Sequence, residues 1–131
     1  MDLDAMKPGL QGSTEIMVGT RDTAPHVGSG KIKVLATPVL VMLLEEAALN
    51  AVEGLLPAGH QTVGTAATPV GMRVYAHAEV SRVEGRKLVF RVWAEDEVER
   101  IGEGMHERII VNVGRFDVRT QDKVARVNSK K

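Results

Sequence analysis

Cysteine is missing from the 131-residue chain, which excludes a disulfide framework, a thiolate-bound zinc or iron–sulfur centre and a thiol nucleophile. Aromatic side chains are few: Tyr75, Phe90, Trp93 and Phe116. A pocket built from the first half of the chain must therefore be lined by aliphatic, small or polar groups. Net charge is missing too, because 17 basic residues balance 17 acidic ones. Without a long basic run there is no electrostatic footprint for a nucleic acid or an acidic membrane. No stretch approaches the roughly 18 apolar residues of a membrane span, and Met1 to Gln11 carries acids rather than the apolar centre of a secretion signal. These absences predict a soluble, cytoplasmic protein. His-x-x-x-His pairs and carboxylate clusters are absent, and Gly28-Ser29-Gly30 lacks the spacing of a nucleotide-binding loop, so neither metal nor cofactor is expected.

A chain of this length makes one ordinary domain, expected over 1–131 with a core at about 13–118 and a flexible tail at about 119–131. Thr14 to Gly19 is compatible with a first strand, and Arg21 to Lys33, rich in Gly, Pro and polar residues, reads as a loop. The clearest element follows. Thr37 suits an N-cap, Pro38 the first helical position, and Gly54 with Pro57 a stop. The run between them is about five turns long and polar only along Glu46, Asn50 and Glu53, with Glu45 beside them. So apolar a helix is normally wrapped by something else.

Beyond a Gly-rich connection the period changes to two. Met72 to Val83 alternates Val74, Ala76, Ala78 and Val80 against Arg73, Tyr75, His77 and Glu79. Glu84-Gly85 marks a tight turn, and Lys87 to Ala94 alternates again, predicting a long antiparallel hairpin. A third strand is expected at about Gly104 to Val113 after a break at Glu99 to Gly102, and a short one near Arg115 to Val118. The fold class is α+β, with a curved antiparallel sheet wrapping one long helix.

That layout resembles the hotdog-fold thioesterases, and within them the family of the fluoroacetyl-CoA thioesterase. The resemblance rests on an ordered set of phrases: Asp22-Thr23-Ala24-Pro25, Val34-Leu35-Ala36-Thr37-Pro38, Met42-Leu43-Leu44-Glu45, Thr62-Val63-Gly64-Thr65, Ala66-Ala67-Thr68-Pro69-Val70-Gly71-Met72 and Gly104-Met105-His106-Glu107-Arg108. It implies hydrolysis of a small or medium acyl-CoA thioester by a homodimer without a cofactor. It also implies roles for Thr37, for Glu45 eight residues later and for Gly64 after the helix. Thr37 would bind or attack the thioester carbonyl, Glu45 would orient or deprotonate the nucleophile, and the Gly64 amide would stabilise the oxyanion. Eight helical residues leave Thr37 and Glu45 within roughly 80° around the axis and about 12 Å along it, so both could reach into one cleft. Val34, Ala36, Lys31 and Lys33 are candidates for substrate contact, the lysines for the CoA phosphates. The absence of aromatics from Gly28 to Val34 argues for an open pocket rather than one specialised for a two-carbon acyl group.

The chain departs from the family at one point. Relatives carry about seven more residues between the Val-Gly-Thr and Ala-Ala-Thr-Pro phrases, roughly 23 Å of strand at about 3.3 Å per residue, and the family histidine lies there. Here Gly64-Thr65 runs directly into Ala66-Ala67. The strand after the helix is expected to be shortened, and His60 is the candidate substitute base. The alternative is a non-catalytic acyl-CoA-binding or structural hotdog protein.

Each residue also has a plainer reading. Thr37 can be a helix cap, Glu45 can face solvent at a helix edge, Gly64 can relieve crowding at a bulge, and His60 can be a loop residue. His77 reads as a solvated strand position, His26 as part of the loop covering an acyl pocket, and His106 with Glu107 as structural in strand or dimer pairing.

Overall fold

The computed structural model describes residues 3–65 and 67–130; Ala66 of the Ala-Ala-Thr-Pro phrase lies outside them, as do both extreme termini. The chain divides into two compact units, Met1–Thr62 and Val63–Lys131.

The first unit is organised by its helices. A short helix α1 (Ala24–Val27) ends at Gly28, whose φ of 86° is the left-handed conformation glycine tolerates, with the Gly28 N–H donating to the Ala24 carbonyl at 2.9 Å. The chain then returns along itself. The Ala24 N–H donates to the Val34 carbonyl at 3.0 Å, the Ala36 N–H donates to the Asp22 carbonyl at 2.8 Å, and Thr23 pairs with Leu35 as an isolated bridge. This clasp delivers the backbone into α2 (Thr37–Val52), 16 residues long, which closes in a 3-10 turn at Glu53–Leu55. Ala24, Ala36 and Val39 form its small core, with Leu35 and Leu43 packed against them. Four large apolar side chains of α2, Leu40, Val41, Met42 and Leu44, are exposed.

Thr14 to Gly19 is a correction, because the described residues form no strand there. A strand persists only against a partner, and no described strand pairs with these residues; Ser13, just before them, accepts a hydrogen bond from Asn50 Nδ2 of α2 at 3.1 Å. No strand forms among the described residues between Leu56 and Arg73 either.

The second unit carries the sheet, in the order β1-β2-β3. β1 (Val74–Glu84) and β2 (Lys87–Asp96) pair antiparallel through the two-residue loop Gly85-Arg86, with Gly85 at φ 62°. The register slips between Val80 and Arg82, and the hydroxyl of the bulged Ser81 donates to the Val89 carbonyl at 3.2 Å. Val89, 2% exposed, is the best-buried apolar residue among those described in this unit. β3 (Arg100–Ile109) begins earlier than its sequence pattern indicates. The turn before it is tied by Asp96, whose Oδ1 accepts the N–H groups of Val98 and Glu99, so the break falls before Arg100 rather than at Gly102.

The last element corrects the expected strand at Arg115 to Val118. Residues Val113–Ser129 form a helix, α3, capped by Asn112, whose side chain accepts the Arg115 N–H at 3.1 Å. Val113, Phe116, Thr120, Val124 and Val127 recur at steps of three and four and make one helical stripe. The helix runs through most of the stretch expected as a tail.

Candidate functional site

Thr37 and Glu45 both lie on α2 and both are exposed. Thr37 is the first helical residue rather than the cap; the cap position belongs to Ala36, and Pro38 follows within the first turn. The Thr37 hydroxyl has no hydrogen-bond partner among the described residues, so capping does not account for it. It stands where the unsatisfied N–H groups of the first turn concentrate positive partial charge, a setting that favours an oxyanion or a polarised carbonyl. The Glu45 carboxylate, two turns on, likewise makes no hydrogen bond or ion pair among the described residues. One helix thus presents an unengaged hydroxyl and an unengaged carboxylate within roughly 80° of each other around its axis.

The remaining candidates of this unit divide clearly. Ala36 is fully buried, at 0% exposure, and its N–H is bonded to Asp22. Val34 is half-buried, with its N–H donating to the Ile32 carbonyl at 2.9 Å and its carbonyl accepting from Ala24. Lys31 and Lys33 are exposed. Lys33 lines an open cavity of about 580 Å³ together with Val18, Thr20, Thr23, Pro25 and His26, while Lys31 borders a second with Pro25, Gly28 and Gly30. His60 sits in an exposed turn, its N–H donating to the Pro57 carbonyl at 3.2 Å and its Nδ1 lying 3.1 Å from the Ala58 carbonyl. Its ring is engaged by its own turn.

Gly64 belongs to the second unit. A methyl group added at its Cα would meet nothing within 4 Å, so crowding at a bulge does not explain this glycine, and its backbone N–H is bonded to no described residue.

The second unit also holds polar constellations that the sequence pattern does not announce. His77 is more than a solvated strand position: its Nε2 lies 2.6 Å from Glu95 Oε1, and its ring stacks on Trp93 with centroids 5.2 Å apart. The Arg91 guanidinium lies 4.1 Å from the Trp93 ring centroid. The cross-strand register, His77 opposite Trp93 and Tyr75 opposite Glu95, builds this row, and register is what a reading of single strands misses. His106 is tilted against Phe90, its partner across β2 and β3. Asp96 is buried, and its carboxyl is held below its ordinary value, first by the Val98 and Glu99 N–H groups and further by the Thr68 hydroxyl, against the opposing effect of burial.

Among the described residues no three metal-ligating side chains converge, and no helix is long and apolar enough to cross a membrane.

The family model of the fluoroacetyl-CoA-specific thioesterase FlK matches residues 18–114. The fluoroacetyl-CoA thioesterase of Streptantibioticus cattleyicolor is 33% identical over 133 residues, which cover 92% of this chain and 96% of that protein. Among solved structures, that of FlK is 33% identical, covering 92% of this chain and 98% of its own, with a TM-score of 0.44. A phenylalanine-to-alanine variant of FlK in complex with fluoroacetate and CoA is 34% identical, covering 82% and 94%, with a TM-score of 0.44. A threonine-to-serine variant in complex with acetyl-CoA is 31% identical, covering 90% and 98%, with a TM-score of 0.43.

Proposed function

The chain belongs to the fluoroacetyl-CoA-specific thioesterase family, and from that premise we propose that it hydrolyses a small or medium acyl-CoA thioester to the acid and CoA. The observation that carries this reading is the pairing on α2 of a threonine hydroxyl at the helix start and a carboxylate eight residues on, neither engaged elsewhere among the described residues.

In the proposed reaction Glu45 takes a proton from water as the water oxygen attacks the thioester carbonyl carbon. Charge develops on the carbonyl oxygen, where the Thr37 hydroxyl and the Gly64 N–H donate to it, the latter a term worth about 3 kcal/mol for a well-placed donor. Collapse of the intermediate breaks the carbon–sulfur bond; the electron pair leaves on the CoA sulfur, which takes the proton back from Glu45. His60, bonded into its own turn, has no part in this scheme. The one domain of the proposal is a hotdog fold in which sheet covers helix, working as a homodimer in the cytoplasm. The uncovered Leu40, Val41, Met42 and Leu44 support it, because apolar surface of that kind is stabilised by burial.

A second reading, binding of acyl-CoA without turnover, is favoured by the engagement of His60 in its turn and by the direct passage from Gly64-Thr65 into Ala66-Ala67. Thiol release measured over a panel of acyl-CoA thioesters separates the two. Hydrolysis that drops about a hundredfold in Thr37→Ala supports the enzyme. Calorimetric binding of the same thioesters with no release of thiol replaces it with the binder, and undiminished turnover in Thr37→Ala removes Thr37 from the site.

A further inference from the structure

At one end of the sheet, the hairpin loop and the start of α3 bring three arginines to a single cavity. Arg86, Arg115 and Arg119 line a space of about 200 Å³ with Val111, Asn112 and Phe116. Arg86 is held there by its backbone, since its carbonyl accepts the Ile110 N–H at 2.8 Å, just before the α3 cap. Val111 and Phe116 are half-buried, whereas the three arginines are exposed.

Among the described residues no carboxylate lines this cavity, and none of the three guanidinium groups has an ion-pair partner. The nearby acids of the hairpin are engaged elsewhere: Glu84 with Arg82 at 2.7 Å and Lys87 at 3.1 Å, and Glu107 with Lys87 at 3.8 Å. Taken alone the arrangement is unfavourable. Arg115 and Arg119 are like charges four residues apart on a helix, and both lie in its first two turns, where the macrodipole disfavours cations. A bound dianion reverses both terms, and the planar guanidinium fork matches phosphate oxygens in pairs.

We propose that Arg86, Arg115 and Arg119 form a receptor for a phosphate monoester. Its source is the terminal phosphate of a CoA thioester or inorganic phosphate, the former resting on the thioesterase reading above. The Asn112 side chain, whose Oδ1 accepts the Arg115 N–H, leaves its Nδ2 as a further donor at the rim.

Calorimetric titration of the full chain at low salt with inorganic phosphate, CoA and dephospho-CoA tests the receptor, alongside the double variant Arg115→Gln/Arg119→Gln. Phosphate binding is expected for the native chain and lost in the variant. CoA is expected to bind about tenfold more tightly than dephospho-CoA, a preference the variant abolishes while its affinity for dephospho-CoA is unchanged. Phosphate binding lost in the variant, with CoA and dephospho-CoA bound alike by the native chain, assigns the receptor to free phosphate. No phosphate binding, or equal binding by native chain and variant, overturns it. Arg115→Lys/Arg119→Lys, which keeps the charge, and circular dichroism of each variant separate lost binding from lost folding. Thiol release from an acyl-pantetheine, which carries no phosphate, reads the thioesterase proposal independently: its failure leaves the phosphate titration intact.

Discussion

Thr68 and Asp96 are joined across the second unit by a hydrogen bond of 3.0 Å from the threonine hydroxyl to Oδ2. The other carboxylate oxygen accepts the Val98 and Glu99 N–H groups at 2.8 and 2.9 Å, so one buried side chain both closes the β2–β3 turn and anchors the segment that leads into β1.

Removing the threonine end of that link is expected to cost about 1 kcal/mol, the net worth of a typical hydrogen bond; urea unfolding of Thr68→Val measures it. The pH dependence follows from the same contacts. Asp96 in the folded chain is held below its ordinary value of 3.8, so the folded state binds this proton less readily than the unfolded chain. Its contribution to stability is fully present above 3.8 and is lost as pH falls through the lower folded value. Thermal melts from pH 6 down to pH 2 are expected to show an acid-dependent loss that Asp96→Asn diminishes; identical pH profiles for the two proteins would contradict the assignment.

Gly12 lies against the backbone of α2. A methyl group there would collide with the Ala47 carbonyl and with the Ala51 backbone, which cannot move aside as a side-chain tip can. Gly12→Ala is expected to destabilise the first unit by about 1 to 3 kcal/mol and to detach the segment that Asn50 holds through Ser13. Hydrogen exchange of the Ser13 region and a urea titration read the two effects, and an unshifted unfolding midpoint would count against this packing.

These contacts mark what a sequence can and cannot disclose. The start of α2 is legible because Thr37-Pro38 followed by an unbroken apolar run matches only a helix entry, although the first helical residue proves to be Thr37 itself. The hairpin is legible because alternation on both sides of Glu84-Gly85 leaves few alternatives. α3 is less legible because residues in its first turns, Arg115 to Val118, also fit a short strand. Its signature is the wider-spaced stripe from Val113 to Val127 together with the Asn112 cap. The Thr14 to Gly19 segment shows the reverse failure, since local pattern favours a strand that only a neighbouring strand could stabilise. For the site, residue types on one helix were readable, whereas the His77–Glu95 pair and the arginine cavity depend on cross-strand register and on where α3 begins.

Gly64 offers a test of the oxyanion role with little steric confusion. Open space surrounds the position of its missing side chain, and its φ is not in the left-handed range. Gly64→Ala keeps the N–H and is expected to leave both stability and turnover near the native values. Gly64→Pro removes that donor and is expected to lower kcat by roughly a hundredfold or more. Equal turnover in both variants would exclude the Gly64 amide from the chemistry.

In the proposed reaction Glu45 acts on the nucleophile rather than on binding, and steady-state thiol release from acetyl-CoA by the native chain and by Glu45→Gln distinguishes the two. Glutamine preserves the shape of the side chain and removes its basicity. The expected result is a kcat reduced by about a hundredfold or more with KM nearly unchanged, as befits a general base that contributes to the transition state alone. A variant that keeps the native kcat, or that changes only KM, would remove Glu45 from the role of general base.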